Sequence, residues 1–207
     1  MPRLIDHAER DAVIAAAAWR VLARDGLPGF SVRRIADEAS LATASLRRAF
    51  PTQAALRTYC LRLVGERVQA RMDALAVASD PAADPRGFVL ACLAELLPLD
   101  AERRSETEVW LALGSLATTD ADVRAAYDDS SRTIATACRS LLGMLPGPGG
   151  GDPDALAAEG QRLHALLDGL ALHLVHAPPS ADTAWALDAL DRVVPDGPRP
   201  DPGSAAG

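Results

Sequence analysis

Between Ser31 and Gln53 the chain places guanidinium groups at Arg33, Arg34, Arg47 and Arg48, hydroxyls at Ser31, Thr43 and Ser45, and an amide at Gln53. These side chains make and break no bonds. They donate hydrogen bonds, and a guanidinium does so through a planar fork that matches a phosphate or the O6/N7 edge of a guanine. Residues 1–57 carry nine Arg against six acids, a net +3, whereas residues 58–207 carry twelve against 22, a net −10. The basic segment suits a phosphate backbone, and the acidic remainder is repelled by one.

Other chemistries lack their signatures. The sequence holds no glycine-rich phosphate loop, no nucleophile elbow and no paired carboxylates in a suitable setting, so it does not read as an enzyme and implies no cofactor. Cys60, Cys92 and Cys138 are odd in number and far apart, which predicts reduced, buried thiols rather than a disulfide framework. His173 and His176 are one turn apart, but His164 falls on the opposite side of the same helix, so they read as residues of a helix end and no metal site is expected. No apolar run reaches membrane-spanning length and residues 1–10 have no secretory apolar core, which predicts a cytoplasmic protein with no membrane partner.

The elements that must position the donors are helices. Apolar residues recur at helical spacing from Asp6 to Arg24, and Asp25-Gly26 with Pro28-Gly29 stops that helix. Ser31 caps a two-turn helix whose inner side is Val32, Ile35, Ala36 and Ala39. A second short helix, 42–49, has Leu46 as its inner anchor with Phe50 one turn on, and Pro51 ends it. Thr52 then caps a long helix from Gln53 to about Ala78. Two short helices joined by a tight turn form a helix-turn-helix, here 31–50, with Thr43, Ala44, Ser45, Arg47 and Arg48 on its outer side. Further helices are predicted at 85–97, 102–116, 121–144, 153–176 and 181–193, with Asp84-Pro85, Asp120, Asp152-Pro153 and Ser180 as starts. The expected fold is all-α: a three-helix DNA-binding domain over 1–52, a helical sensing and dimerisation domain over 53–194, and a disordered tail over 195–207. The glycine-rich stretch 146–151 reads as a flexible connection.

The run FSVRRIADEASLATASLRRAFPTQAAL, Phe30 to Leu56, resembles the DNA-binding segment of the TetR family of transcriptional regulators, through Ser31, Val32, Ile35, Ala36, Ala39, Leu46, Phe50, Pro51 and Leu56. The resemblance spans about residues 7–72. Departures fall in the recognition region: Ser40 stands where the family usually has the turn glycine, Arg47 and Ala49 replace tyrosines, and Gln53 replaces a lysine. A weaker likeness to sensor domains of the choline- and betaine-responsive kind lies in residues 102–127 and 163–176. The resemblance implies a homodimeric repressor on double-stranded operator DNA, with two recognition helices in successive major grooves about 34 Å apart, released by a small molecule. The residues expected at DNA are Ser31, Arg33, Thr43, Ala44, Ser45, Arg47, Arg48 and Gln53.

For the effector, Met72, Phe88, Trp110, Leu113 and Tyr127 are expected to line an apolar pocket, with Arg139 or Asp168 as polar anchors. Recognition of a quaternary ammonium needs several aromatic faces, and the sensor region has few, so a largely apolar or aromatic molecule is expected. Trp110 reads equally well as plain core. The leucine bands of the last two helices, Leu163, Leu167, Leu170 and Leu174 with Trp185 and Leu190, serve either an internal core or a four-helix dimer interface, and the resemblance selects the interface. A helical adaptor that binds only protein is the rival reading, and it leaves the basic 31–57 segment unexplained.

Overall fold

Capping decides where most helices begin. In the computed structural model, which describes residues 7–146 and 152–196, nine helices and no strand occur among the described residues: α1 (His7–Gly29), α2 (Val32–Glu38), α3 (Thr43–Ala49), α4 (Gln53–Ala78), α5 (Pro85–Ala94), α6 (Ala101–Leu116), α7 (Ala121–Leu142), α8 (Pro153–His176) and α9 (Ala184–Val193). Ser31 Oγ accepts from the Arg34 N–H at 3.3 Å, Thr52 Oγ1 from Ala55 at 3.0 Å, Asp84 from Gly87 at 2.8 Å, and Asp152 from Asp154 at 3.0 Å. Asp120 accepts from Asp122 and Val123 at 3.1 and 3.2 Å. Each bond satisfies a donor that the helix itself leaves open.

Several predicted boundaries move. Asp100, not a residue at 102, caps α6 through the Arg103 N–H at 2.8 Å. Ser180 caps nothing: α9 starts at Ala184, whose N–H is taken by Asp182 at 3.0 Å. The helices foreseen to end at 97 and 144 stop at Ala94 and Leu142. α1 is broken at Gly26 (φ 62°, ψ −169°), and one further turn carrying Pro28 follows the break. That backbone conformation needs a residue without Cβ. The foreseen tail at 195–207 and connection at 146–151 lie almost wholly outside the described residues.

The chain divides into two compact units, the first of residues 1–67 and 100–130, the second of 68–99 and 131–207. α6 and the first part of α7 cluster with α1, α2, α3 and the part of α4 up to Arg67. In the first unit the core is Ile14, Ala18 and Val21 of α1, Phe30, Val32, Ile35 and Ala36 around α2, Leu46 of α3, Leu56 and Leu61 of α4, and Val109 and Leu113 of α6. α6 and α7 close tightly at Gly114, where an added Cβ would lie 2.6 Å from the Tyr127 ring.

In the second unit a cluster of buried apolar residues joins Val89 and Leu93 of α5, Cys138 and Leu141 of α7, Leu163, Leu167, Leu170 and Leu174 of α8, and Ala186 and Leu190 of α9. Each fully buried leucine contributes about 1.5–3 kcal/mol of transfer free energy. α8 approaches α7 at Gly160, where a Cβ would stand 3.1 Å from the Arg139 Cα. Arg86 of α5 closes the end of α9 by donating to the Asp191 and Val194 carbonyls at 2.7 and 3.3 Å, acceptors the helix cannot use itself.

Candidate nucleic-acid interface

α2 and α3 are presented by what lies beneath them. Val32, Ile35 and Ala36 are buried on α2, and Leu46 is wholly buried on α3. Fixing these inner positions turns Ala44, Ser45, Arg47, Arg48 and Ala49 to solvent, with Thr43 half-buried at the start of α3. Phe50 and Tyr59 hold the α3–α4 corner, their ring centroids 4.8 Å apart. Arg47 and Arg48 occupy the last turn of α3, where cations are favoured by the helix dipole.

The connection between α2 and α3 has a specific geometry. The Leu41 N–H donates to the Ala36 carbonyl at 2.9 Å and the Ser40 N–H to Asp37 at 3.2 Å. With Ser40 at φ 54° between them, this is the Schellman closure of a helix, which normally places glycine at the left-handed position. The serine occupies it at a steric cost and still sets the angle between the two helices.

Electrostatics sorts the arginines into two groups. Arg20 and Arg24 of α1 both grip Glu38 at 2.7 Å, while Asp25 takes Arg24 at 3.1 Å and Arg34 at 2.8 Å. This network bolts α1 to α2. Its hydrogen bonds hold both carboxyls below the usual range, Asp25 chiefly through Arg24 and Glu38 chiefly through Arg20. Arg33, Arg47 and Arg48, by contrast, are exposed and make no ion pair among the described residues. The pairings were not foreseen; Arg20 and Arg24, one turn apart, were the available signal.

Gln53 is exposed at the start of α4, and its Oε1 accepts from Arg57 Nη2 at 3.2 Å. Arg57 reaches Asp120, the cap of α7, at 3.3 Å. A chain of polar contacts therefore runs from the first turn of α4 to the first turn of α7 within one unit.

The residues expected around an effector fall into both units. Trp110, Leu113 and Tyr127 belong to the first. Trp110 is buried, stacks on Tyr127 with centroids 4.8 Å apart, and donates from Nε1 to Ser130 Oγ at 3.4 Å; Leu113 is fully buried. Met72, Phe88, Arg139 and Asp168 belong to the second. There Met72 and Phe88 pack half-buried on the apolar cluster, whereas Arg139 is exposed. The half-buried Asp168 lies 3.7 Å from His164; burial pushes its carboxyl up, and the charge of His164 opposes that shift.

The dimer residues need correction. Leu163, Leu167, Leu170, Leu174 and Leu190 are enclosed by their own chain, at 1–5 % exposure, because α5 and α7 already cover that side of α8 and α9. Trp185 alone of the six is exposed, at 45 %, and Leu172, Leu187 and Val193 on the same two helices are exposed with it. The leucine band is the core, and the unpartnered apolar groups are others.

A helix-turn-helix with an outward basic helix, followed by a long helical region, defines a DNA-binding regulator of the helical class. Residues 14–60 match the bacterial regulatory proteins of the tetR family, and residues 85–196 match the C-terminal region of BetI-type transcriptional repressors. The chain is 37% identical over 200 residues to the HTH-type transcriptional regulator PksA of Bacillus subtilis, covering 94% of this chain and 90% of that protein. Among solved structures it resembles a transcriptional regulator from Rhodococcus sp. Rha1 with a TM-score of 0.75 and 27% identity, covering 89% of this chain and 93% of that one. It also resembles the multidrug binding protein EbrR complexed with malachite green, with a TM-score of 0.63 and 25% identity over 91% and 99% of the chains. The chain belongs to the TetR family: it is a ligand-responsive, DNA-binding transcriptional regulator and not an enzyme. No helix among the described residues is long and apolar enough to cross a membrane, and no cluster of metal-ligating side chains occurs among them.

Proposed function

We propose that the chain is a cytoplasmic repressor that binds operator DNA as a homodimer and is released by a small, largely apolar molecule. One observation carries the DNA reading: Arg20, Arg24 and Arg34 are ion-paired where α1 meets α2, whereas Arg33, Arg47 and Arg48 are exposed and make no ion pair among the described residues. Exposed guanidinium groups on α2 and on the recognition helix α3 can replace the counterions of a duplex. Ser31, Thr43, Ala44, Ser45 and Gln53 complete the surface, the two small residues at 44 and 45 permitting close approach to base edges.

The functional division into a DNA-binding domain over 1–52 and a sensing and dimerisation domain over 53–194 is retained in this reading. Dimerisation is assigned to the exposed Leu172, Trp185, Leu187 and Val193. Met72, Phe88 and Asp168 are the groups best disposed to meet an effector in the second unit, and Trp110 with Leu113 is read as core. The malachite green held by EbrR, an aromatic cation, is in keeping with apolar walls and one carboxylate.

Operator selected from a random pool, followed by fluorescence anisotropy across a salt series, tests the reading. Arg47→Ala and Arg48→Ala should each weaken binding without lowering the melting temperature. A phosphate-contacting arginine lowers the salt slope by about one, and a base-reading one relaxes a single operator position at about 1–3 kcal/mol. Wild-type affinity and slope in both variants would remove the recognition-helix assignment.

A further inference from the structure

Away from the recognition face, α1 and α6 enclose a cleft of about 320 Å³ walled by Trp19, Leu22, Leu27, Glu108, Val109 and Ala112. All its lining residues belong to the first unit. Its volume is at the small end of ligand sites.

Trp19, Ser105 and Glu108 put polar groups into a wall that Leu22, Leu27, Val109 and Ala112 make apolar; two of the three decide what it can hold. Trp19 is 8 % exposed and is pinned from one face by the Arg67 guanidinium, 3.9 Å from the ring centroid. Arg67 is itself held by Glu102 at 3.1 Å and the buried Glu106 at 3.5 Å. The indole cannot easily turn, yet its buried Nε1–H meets no acceptor among the described residues. An indole nitrogen is a donor only, and a buried donor without a partner is uncommon in a native protein. Glu108 supplies the opposite character: one carboxylate oxygen takes Arg104 at 3.3 Å, and the group has further acceptor capacity.

We propose that this cleft is a small-molecule site for a planar aromatic carrying an acceptor and a donor on one edge, the chemistry of an aromatic primary carboxamide. The carbonyl oxygen accepts from Trp19 Nε1, the amide N–H donates to Glu108, and the ring lies among Leu22, Leu27, Val109 and Ala112. The site is separate from the residues assigned to the effector, since α6 presents Trp110 and Gly114 to Tyr127 instead. Binding here does not depend on the reading of the DNA surface.

Benzamide titrated into the full chain, followed by ligand-observed NMR, is the test. Saturable binding with a dissociation constant of about 1 mM is expected for a ligand of this size. Ala112→Leu, which fills the cleft, should weaken it at least about tenfold. Trp19→Phe keeps a ring but removes the N–H, and should weaken it about three- to tenfold. Glu108→Gln keeps an acceptor and should barely alter benzamide, while costing the benzamidinium cation about tenfold. Ala112→Leu sits at a half-buried position and decides the matter if Trp19→Phe fails to fold. Absence of saturation by about 20 mM, or benzamide affinity unchanged in Ala112→Leu, would overturn the proposal.

Discussion

Replacing Ser40 by glycine should stabilise this protein. Ser40 has φ 54° at the point where α2 closes, flanked by the Leu41-to-Ala36 and Ser40-to-Asp37 hydrogen bonds. A residue with a Cβ pays about 1–2 kcal/mol in that left-handed well, where the Cβ crowds the following carbonyl. Glycine avoids the crowding but gives back about 0.5–1 kcal/mol, because its unfolded chain has more freedom to lose. The difference is a net gain of about 0.5–1 kcal/mol, or a rise in melting temperature of about 1–4 °C for a chain of this size. Thermal melts and urea titrations at fixed protein concentration measure it, and the urea midpoint should rise with an unchanged slope. Ser40→Ala keeps the Cβ and should stay near wild type, whereas Ser40→Val should lose stability. The same closure already sets the α2–α3 angle, so operator affinity of Ser40→Gly should change less than about twofold. A glycine variant that melts lower than wild type, with alanine lower as well, would show that the hydroxyl and not the backbone governs this position.

Trp185→Arg should weaken self-association about 30-fold or more by sedimentation, as expected for a central aromatic anchor, while Leu163→Ala should instead cost about 2–5 kcal/mol of folding stability; the reverse pattern would return the interface to the leucine band. Burial pushes the Cys60 and Cys138 thiols up to about 12, and Cys92 is raised as well, by burial with Glu95 adding to it. At pH 8 only about one thiol in 10⁴ of the first two is then ionised, so a thiol reagent should label none of the three until the chain unfolds, and rapid native labelling of any one would contradict the burial. Trp110→Ala should cost about 3–5 kcal/mol in melting experiments, because the ring is packed on Tyr127, and a loss below about 1 kcal/mol would identify it as a pocket wall and not core.

The order and type of the helices could be read from apolar spacing and caps because those signals are local. Ser31, Thr52, Asp84, Asp120 and Asp152 bond to backbone within three residues of themselves. The start of α9 moved through competition between adjacent caps: Asp182 lies nearer its first turn than Ser180 and takes the Ala184 N–H. The leucine bands were ambiguous for a different reason. A wide apolar face on α8 states how much surface must be covered and not what covers it. α5 and α7 supply the cover, and only the three-dimensional arrangement reveals that Leu172 and Trp185 are left outside.

The recognition surface shows the same division between local and distant information. Which α3 residues face outward follows from Leu46 and Phe50 alone, since two buried positions fix the rotation of a two-turn helix. Which arginines are available does not follow, because Arg20 and Arg24 reach Glu38, 18 and 14 residues away, and Arg34 reaches Asp25, 9 residues away, in each case on a neighbouring helix. Asp25 and Glu38 between them bind all three, and both carboxyls stay ionised to lower pH than usual because of it. The net charge of +3 on residues 1–57 is therefore not spread evenly over that segment. Internal pairing offsets much of the charge where α1 meets α2, while Arg33, Arg47 and Arg48 stay exposed with no ion pair among the described residues. The departures from the family pattern at Arg47 and Ala49 act in the same direction: aromatic hydroxyls that would each place one neutral hydrogen bond give way to a guanidinium whose attraction reaches across a Debye length of about 8–10 Å. Operator binding by this chain should accordingly depend on salt more steeply than in a relative that anchors through tyrosine. Equal slopes for this chain and its Arg47→Tyr, Ala49→Tyr double variant would show that the replacement of hydroxyls by charge does not govern the affinity.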